Sequence, residues 1–188
     1  MPVTRLDITS EGDFAGSESF GDVGSYRLLE GTAHFAVDPL SPRNEAITDI
    51  ELAPRDSGGN VRFSSHFSAL RPADPDRGNG RVLFDVLNRG NRTVLSLFNG
   101  TPRPADPTSP LLPGNGFLMR HGYTVVWCGW QADVPPTPGL MGMQAPEAVG
   151  PGGPMVGETL CWLQVDEPTR VQMLSNRGHL PLPAADPD

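Results

Sequence analysis

The chain has 188 residues, enough for one domain with a hydrophobic core, and its 22 glycines and 21 prolines exclude an architecture of long helices. A net charge of −8 argues against nucleic acid and anionic membranes as partners, because both require a basic surface. No apolar run has the length of a signal peptide or a membrane-spanning helix, so we expect a cytoplasmic protein that enters no membrane.

The N-terminal part of the chain predicts antiparallel strands that follow a flexible start. Residues 1–25 are mostly small, polar and acidic, which is typical of a mobile segment. Three apolar runs follow at residues 26–39, 46–55 and 60–72, with Pro, Asp and Gly between them. Runs of this length and spacing predict the antiparallel strands of a meander.

The run RVLFDVLN, residues 81–88, predicts a further strand and ends abruptly. Its residues are almost continuously apolar, which indicates a strand buried on both faces. The chain then reads Asn-Arg-Gly-Asn-Arg at residues 88–92, where glycine and asparagine favour a turn. Residues 93–98 can begin a short helix after this turn.

A second short helix and a second strand are expected before residue 130. Residues 117–119 suit a helix that has Asn115 near its N-cap and Gly122 just past its end. The β-branched and aromatic residues 123–127 then form a strand. Strand, loop, helix and strand over residues 81–130 are a βαβ unit, which implies two parallel strands in one sheet.

Residues 131–180 predict a proline- and glycine-rich insert with edge strands. One short strand is expected near residues 140–145. Farther on, the alternation in ETLCWLQVDEP predicts an edge strand with which TRVQMLS pairs. Residues 181–188 are expected to be a tail.

The cysteines and histidines predict neither a metal site nor a cofactor. Cys128 and Cys161 lie far apart in apolar segments and are typical of buried small hydrophobic residues. The four histidines show no ligand spacing, and each fits a strand, a helix end or the tail. We therefore expect no metal and no cofactor.

From the residues alone, the loop at 88–92 has a structural explanation. Glycine turns between a strand and a helix are common. In this interpretation Arg89 and Arg92 are solvated or pair with Asp85, and the loop carries no chemistry.

Four longer segments occur in a fixed order: YRLLEGTAHFAVDP, DIELAPR, FSALRPADPDRGNGRVLFDVLNRGNR and GNGFLMRHGYTVVWCGWQADV. Over residues 26–178 the chain thereby resembles the N-terminal region of a bacterial family of alpha/beta hydrolase domain proteins. The resemblance implies that residues 81–88 are the third strand of the hydrolase sheet, 117–122 its first helix and 123–130 its fourth strand.

The resemblance also implies a role for the loop that follows the third strand. In the alpha/beta hydrolase fold this loop contributes one backbone N–H to the oxyanion hole, beside a donor from the residue after the nucleophile. Arg89, Gly90 and Asn91 would then be catalytic residues of the oxyanion-hole loop. The implied substrate is a small-molecule ester.

The nucleophile of that fold is missing. It lies in Gly-x-Ser-x-Gly, and the chain contains no such pentapeptide. The segment after Trp130 is also too short for the roughly 120 residues that four further strand–helix units require. The expected fold is therefore an incomplete alpha/beta-hydrolase-like sheet, with antiparallel N-terminal strands, a parallel βαβ crossover, many loops and few short helices.

Two functions follow from these observations. The first is the N-terminal portion of a serine ester hydrolase, 26–180, which contributes the oxyanion-hole loop and is inactive alone. The second is a non-catalytic β-rich binding or interaction module derived from the same fold. In either case we expect self-association through an exposed sheet edge, because the parallel strands lack neighbours on one side.

Overall fold

The computed structural model describes residues 3–104, 106–155, 162–173 and 182–183, and one mixed sheet of six strands dominates them. Its strands are β1 (Val3–Asp13), β2 (Tyr26–Val37), β3 (Val61–Pro72), β4 (Val82–Asp85), β5 (Thr124–Cys128) and β6 (Met143–Gln144). Five strands lie side by side in the order β1-β2-β3-β5-β4, and β6 pairs with β3. All these pairs are antiparallel except β4 with β5.

Short helices and two small ladders complete the described part of the chain. The α-helices are α1 (Val94–Phe98) and α2 (Phe117–Arg120). The 3-10 helices are Ala15–Ser17, Gly21–Val23, Pro42–Asn44, Ile50–Leu52 and Pro75–Arg77. Outside the main sheet, β7 (Val149–Gly150) pairs with β8 (Gly153–Pro154), and β9 (Val171–Gln172) pairs with β10 (Leu182–Pro183). None of the described helices is long and apolar enough to cross a membrane.

The predicted βαβ unit is confirmed. β4 and β5 are parallel neighbours, with Val82 opposite Thr124 and Asp85 opposite Trp127. Both α-helices lie in the connection between them. Asn115 lies near the start of α2 as predicted: Gly116 is the N-cap, and the Asn115 side chain accepts a hydrogen bond from the Phe117 amide at 2.9 Å.

The N-terminal segment differs from the expected flexible start, because residues 3–13 form β1. This strand pairs with β2 along most of its length, with two register shifts. Its acidic residues hold arginines of the neighbouring strands: Arg27 contacts Asp13 at 2.9 Å and Glu11 at 3.3 Å, and Arg71 contacts Glu11 at 3.2 Å. The acidic residues that led to the prediction of a mobile segment thus form ion pairs with arginines from later strands.

The strand predicted at residues 46–55 is wrong. Turns and the 3-10 helix Ile50–Leu52 occupy this segment, and Asp49 has a left-handed backbone with φ +56°. β2 already pairs with β1 on one side and β3 on the other, so neither edge of β2 remains for this segment. Ile50 instead packs with Val37 and Val61 as a small separate hydrophobic cluster.

The main core covers one face of the sheet. Tyr26, Leu70, Val125 and Trp127 project from β2, β3 and β5 and are almost fully buried. The helices and the segment between β1 and β2 pack onto these side chains, with Phe14, Phe20, Leu95, Leu118 and Met119 among the buried residues. The apolar faces of these strands and helices are thereby removed from water.

The prediction that β4 is buried on both faces is wrong. Leu83 and Asp85 point toward the core, but Val82 is 64% exposed and Phe84 is 53% exposed. Within the described residues β4 is the last strand of the sheet, so its outer edge is unpaired and the face opposite the core has little cover. A nearly continuous apolar run therefore also occurs in an edge strand with one open face.

The insert at residues 131–180 fits its predictions only in part. β6 lies within the expected strand at 140–145. The expected edge strand ETLCWLQVDEP lies partly outside the described residues, and its described part, 162–168, is not a strand. TRVQMLS contributes β9, but β9 pairs with β10 in the expected tail, not with the segment before it.

Candidate oxyanion-hole loop

The loop after β4 makes a tight reversal at its predicted position. Arg89 and Gly90 both have left-handed backbones, with φ +53° and φ +80°. The Asn91 amide donates to the Asn88 carbonyl at 3.1 Å, and the Asn91 side chain donates to the same oxygen at 2.9 Å. Two successive positive φ values inside one hydrogen-bonded turn are typical of a type I′ turn, and they turn the peptide groups of Arg89 and Gly90 outward from it.

Asp85 holds the start and the end of the loop in place. Its carboxylate is buried and accepts hydrogen bonds from the amides of Thr93 at 2.8 Å and Val94 at 2.9 Å. It also accepts one from the indole Nε1 of Trp127 at 2.8 Å. One side chain thus joins the end of β4, the start of α1 and β5, which closes the base of the loop.

The structure distinguishes the three candidate amides. The Arg89 N–H donates to the side-chain oxygen of Gln131 at 2.8 Å, and the Asn91 N–H is used within the turn. The Gly90 N–H has no acceptor among the described residues, whereas its carbonyl accepts from the Met141 amide at 3.0 Å. Of the three, Gly90 holds the amide that remains able to donate.

Gly90 is covered by the chain segment that follows β5. A side chain at Gly90 would meet Val134 Cγ1 at 2.9 Å, the Met141 nitrogen at 3.0 Å and Leu140 Cβ at 3.1 Å. Arg89 adds a further attachment, because its guanidinium pairs with the Asp133 carboxylate. Residues 131–141 therefore lie against the loop and restrict access to it.

Neither arginine of the loop is solvated or paired with Asp85, contrary to the structural explanation drawn from the residues alone. Arg89 pairs with Asp133, as described above. Arg92 is 14% exposed, donates to the Glu30 carboxylate at 3.1 Å and stands 5.9 Å above the Trp127 ring. Asp85 accepts hydrogen bonds from amides, a hydroxyl and the indole instead.

Of the remaining candidate groups, His66 lines a cavity that also contains Arg92, whereas Cys161 and His179 lie outside the described residues. The His34 ring contacts Asp7 at 2.9 Å on the outer strands, and the His66 ring accepts from the Gly142 amide at 3.0 Å. Cys128 is half-buried and forms no disulfide with a described residue. Across the described part of the chain, no three His, Cys, Asp or Glu side chains are grouped so that they could hold a metal ion.

An apolar cleft of about 520 Å³ opens on the opposite side of the sheet from the main core. Phe84, Trp130, Met143 and the stacked pair Phe35 and Phe63 line it. Trp130 is half exposed there, and its indole N–H donates to the Leu87 carbonyl at 2.6 Å. Trp130 thus covers the edge strand, whereas Trp127 is a core residue.

Sequence reasoning located the turn but missed Gln131, Glu30 and Asp133, which determine what its groups contact. These residues lie at least 40 positions away in the chain, and no motif connects them with residues 88–92. Comparison with protein families, with curated proteins and with solved structures finds no match for the chain. The interpretation of the site therefore depends on its own geometry.

Proposed function

We propose that the chain is the N-terminal portion of a serine ester hydrolase acting on small-molecule esters, and that the Gly90 amide is one donor of its oxyanion hole. The observation that carries this proposal is the Gly90 N–H, which has no acceptor among the described residues and lies in a tight turn directly behind a parallel strand. The chain has no Gly-x-Ser-x-Gly, so the proposal assigns the nucleophile to further polypeptide and expects no turnover from this chain alone.

The position of the loop supports this assignment. Ligands of open α/β sheets bind outside the carboxyl ends of the parallel strands. The turn at residues 88–91 follows the carboxyl end of β4, and Asp85 holds it against β5. An amide fixed there before the substrate arrives can stabilise a developing oxyanion without reorganisation, and one such donor typically contributes 10²–10³-fold to kcat.

The outer edge of β4 supports the need for further polypeptide. This edge has no partner within the described residues, and Val82 and Phe84 expose apolar surface beside it. A parallel strand that paired with β4 would satisfy the free backbone groups, and a helix after it would cover Phe84. Both would bring new side chains to the carboxyl end of β4, where the loop lies.

The covering segment must move before the loop can act. Gln131 occupies the Arg89 amide, and Val134, Leu140 and Met141 lie against Gly90. In this proposal the described structure is therefore an inactive conformation, in which the loop is covered. Displacement of residues 131–141 by the rest of the domain or by substrate would expose the Gly90 amide.

The nucleotide sequence downstream of codon 188 provides the most direct test. We expect an open frame that encodes Gly-x-Ser-x-Gly, and the extended protein should hydrolyse p-nitrophenyl butyrate and react with a fluorophosphonate probe. In the extended protein, Gly90→Ala keeps the N–H but strains the φ of +80° that orients it, so it should lower kcat more than it raises KM even if the covering segment shifts. Gly59→Ala has the same φ away from the loop and should change neither. The 188-residue chain should show no turnover and no labelling; labelling of a serine in it would refute the assignment.

The non-catalytic binding module remains the second candidate, and the covered state of Gly90 favours it. A stop codon at position 189 together with stable expression of the chain would support this function. So would an extended protein in which Gly90→Ala leaves ester hydrolysis unchanged. The two candidates therefore give opposite results in the same pair of experiments.

A further inference from the structure

A polar cavity of about 370 Å³ lies beside the loop, on the outer side of α1. The loop and the first turns after it form one wall, and residues 103, 104, 107, 109 and 111 contribute the other together with Gly139. Its polar side chains include Asn91, Arg92, Thr93, Ser96, Arg103 and Ser109. Among the described residues, two guanidinium groups and no carboxylate line this cavity, although the whole chain carries a net charge of −8.

The two arginines are arranged differently. Arg92 is largely buried, and the Glu30 carboxylate and the Trp127 ring hold it in one position. Only its Nη1 contacts Glu30, so its other N–H groups have no acceptor among the described residues. Arg103 is exposed and makes no hydrogen bond or ion pair within the described part of the chain. One guanidinium is thus preorganised and the other is available to close over a ligand.

Glu30 offsets the charge of Arg92 through one nitrogen, whereas no carboxylate among the described residues pairs with Arg103. The nearest carboxylate in sequence, Asp106, accepts hydrogen bonds from the Thr108 amide and hydroxyl and does not line the cavity. The Ser96 hydroxyl donates to the Thr93 carbonyl at 2.7 Å, and the Thr93 hydroxyl donates to Asp85 at 3.2 Å. Arg103 and the N–H groups of Arg92 that do not contact Glu30 are therefore the main donors of the cavity that lack an acceptor among the described residues.

A second, more apolar cavity of about 240 Å³ shares this wall. It also contains Arg92 and Arg103; Leu111 lines both cavities, and the second adds Leu95 and Leu112. The guanidinium groups thus stand where a polar space meets an apolar one. This arrangement suits a ligand with a charged head and a short hydrocarbon body.

We propose that these joined cavities bind a small organic carboxylate, with its anionic group between Arg92 and Arg103 and its apolar body against Leu95, Leu111 and Leu112. A carboxylate matches the planar fork of arginine and can accept two parallel hydrogen bonds from it. The inference does not depend on the proposed hydrolase role, because binding requires no nucleophile.

Sodium benzoate is a suitable probe, and benzamide is its neutral counterpart of the same shape. Isothermal titration calorimetry at low ionic strength should detect benzoate and not benzamide. Because every basic side chain is arginine, the arginine Nε–Hε region of a ¹⁵N spectrum should show shifts for two residues. Inorganic phosphate is a third titrant, and binding as tight as that of benzoate would overturn the assignment to an organic carboxylate.

Three variants locate the site. Arg103→Gln should weaken benzoate binding about ten-fold, because a charge-assisted hydrogen bond is lost. Arg43→Gln removes the same charge from a distant 3-10 helix and should leave the affinity unchanged. Arg92→Lys keeps the charge but loses the fork and should also weaken binding. Equal effects of Arg103→Gln and Arg43→Gln, or equal binding of benzoate and benzamide, would overturn the proposal.

Discussion

The Asp85 carboxylate accepts a hydrogen bond from the indole N–H of Trp127, 2.8 Å away in the neighbouring parallel strand. Asp85 is the single charged residue in an apolar strand, and Trp127 is fully buried. A buried indole N–H and the first amides of α1 all require an acceptor, and this carboxylate supplies one to each. The charge in the middle of RVLFDVLN thus anchors the loop.

Removal of that acceptor should destabilise the chain markedly. We expect Asp85→Ala to lower the free energy of unfolding by about 3 kcal/mol, because it leaves several buried donors unsatisfied. Asp85→Asn keeps one acceptor oxygen and should lose roughly half as much. Asp74→Ala, at an exposed carboxylate that accepts from one amide, is the matched control and should cost about 1 kcal/mol or less. Urea unfolding checks all three, and equal losses for Asp85→Ala and Asp74→Ala would contradict the anchoring role.

Alanine substitutions at Gly90 and Gly59 distinguish the energetic cost of backbone strain from the cost of close packing. Both have φ +80°, but a Cβ at Gly59 meets nothing within 4 Å, whereas one at Gly90 meets Val134, Leu140 and Met141. Gly59→Ala should therefore cost about 1 kcal/mol, the strain of a left-handed alanine. Gly90→Ala should cost about 2–4 kcal/mol, because the covering segment must also shift.

Thermal and urea unfolding of the two alanine variants provide the measurement. Limited proteolysis within residues 131–141 adds a local readout, since displacement of that segment should make it more accessible in Gly90→Ala alone. If both variants lose the same stability and resist protease equally, the segment does not pack on Gly90.

The parts of the fold that depend on local chemistry could be predicted. Glycine and asparagine at 88–91, Asn115 at the start of α2 and the apolar runs around the crossover each act over a few residues. β1 could not be predicted in this way, because its stability comes from pairing with β2 and from ion pairs with Arg27 and Arg71. Its own composition resembles that of an unfolded segment.

The same distinction explains the candidate site. The turn was visible in the sequence, but its accessibility depends on Gln131 and on the packing of Leu140, neither of which has a sequence signature. The burial of β4 was overestimated for a related reason. Apolar residues on both faces of a strand are compatible with burial of both faces. They do not show whether another element packs on Phe84, which is half exposed here.

Tyr26 should make the stability of the chain sensitive to alkaline pH. Its hydroxyl is buried and donates to the carbonyls of Met119 and Tyr123 at 3.1 and 3.0 Å. Burial raises the pKa of Tyr26 above its ordinary value, because the phenolate would lie in a poorly solvated site. The contribution is complete below about pH 10, the unfolded-state pKa, and is lost as pH rises toward the folded-state value.

Unfolding free energies measured between about pH 8 and pH 11 check this expectation. The wild-type chain should lose stability above about pH 10, and Tyr26→Phe should remove most of that loss while costing about 1 kcal/mol at neutral pH. Tyr123→Phe, at the other tyrosine of the chain, should retain the loss. An unchanged pH dependence in Tyr26→Phe would show that other groups cause it.

The open edge of β4 should make the isolated chain self-associate. Within the described residues no strand pairs with this edge, and Val82, Leu83 and Phe84 carry no charge that would oppose pairing with a second copy. Phe84→Lys places a charge on the exposed face and should weaken association at least ten-fold by sedimentation velocity, with little effect on the unfolding free energy. Leu40→Lys, at a turn residue that is 76% exposed, is the matched control and should leave association unchanged. A wild-type chain that sediments as a monomer at high concentration and melts sharply would show that the β4 edge needs no partner.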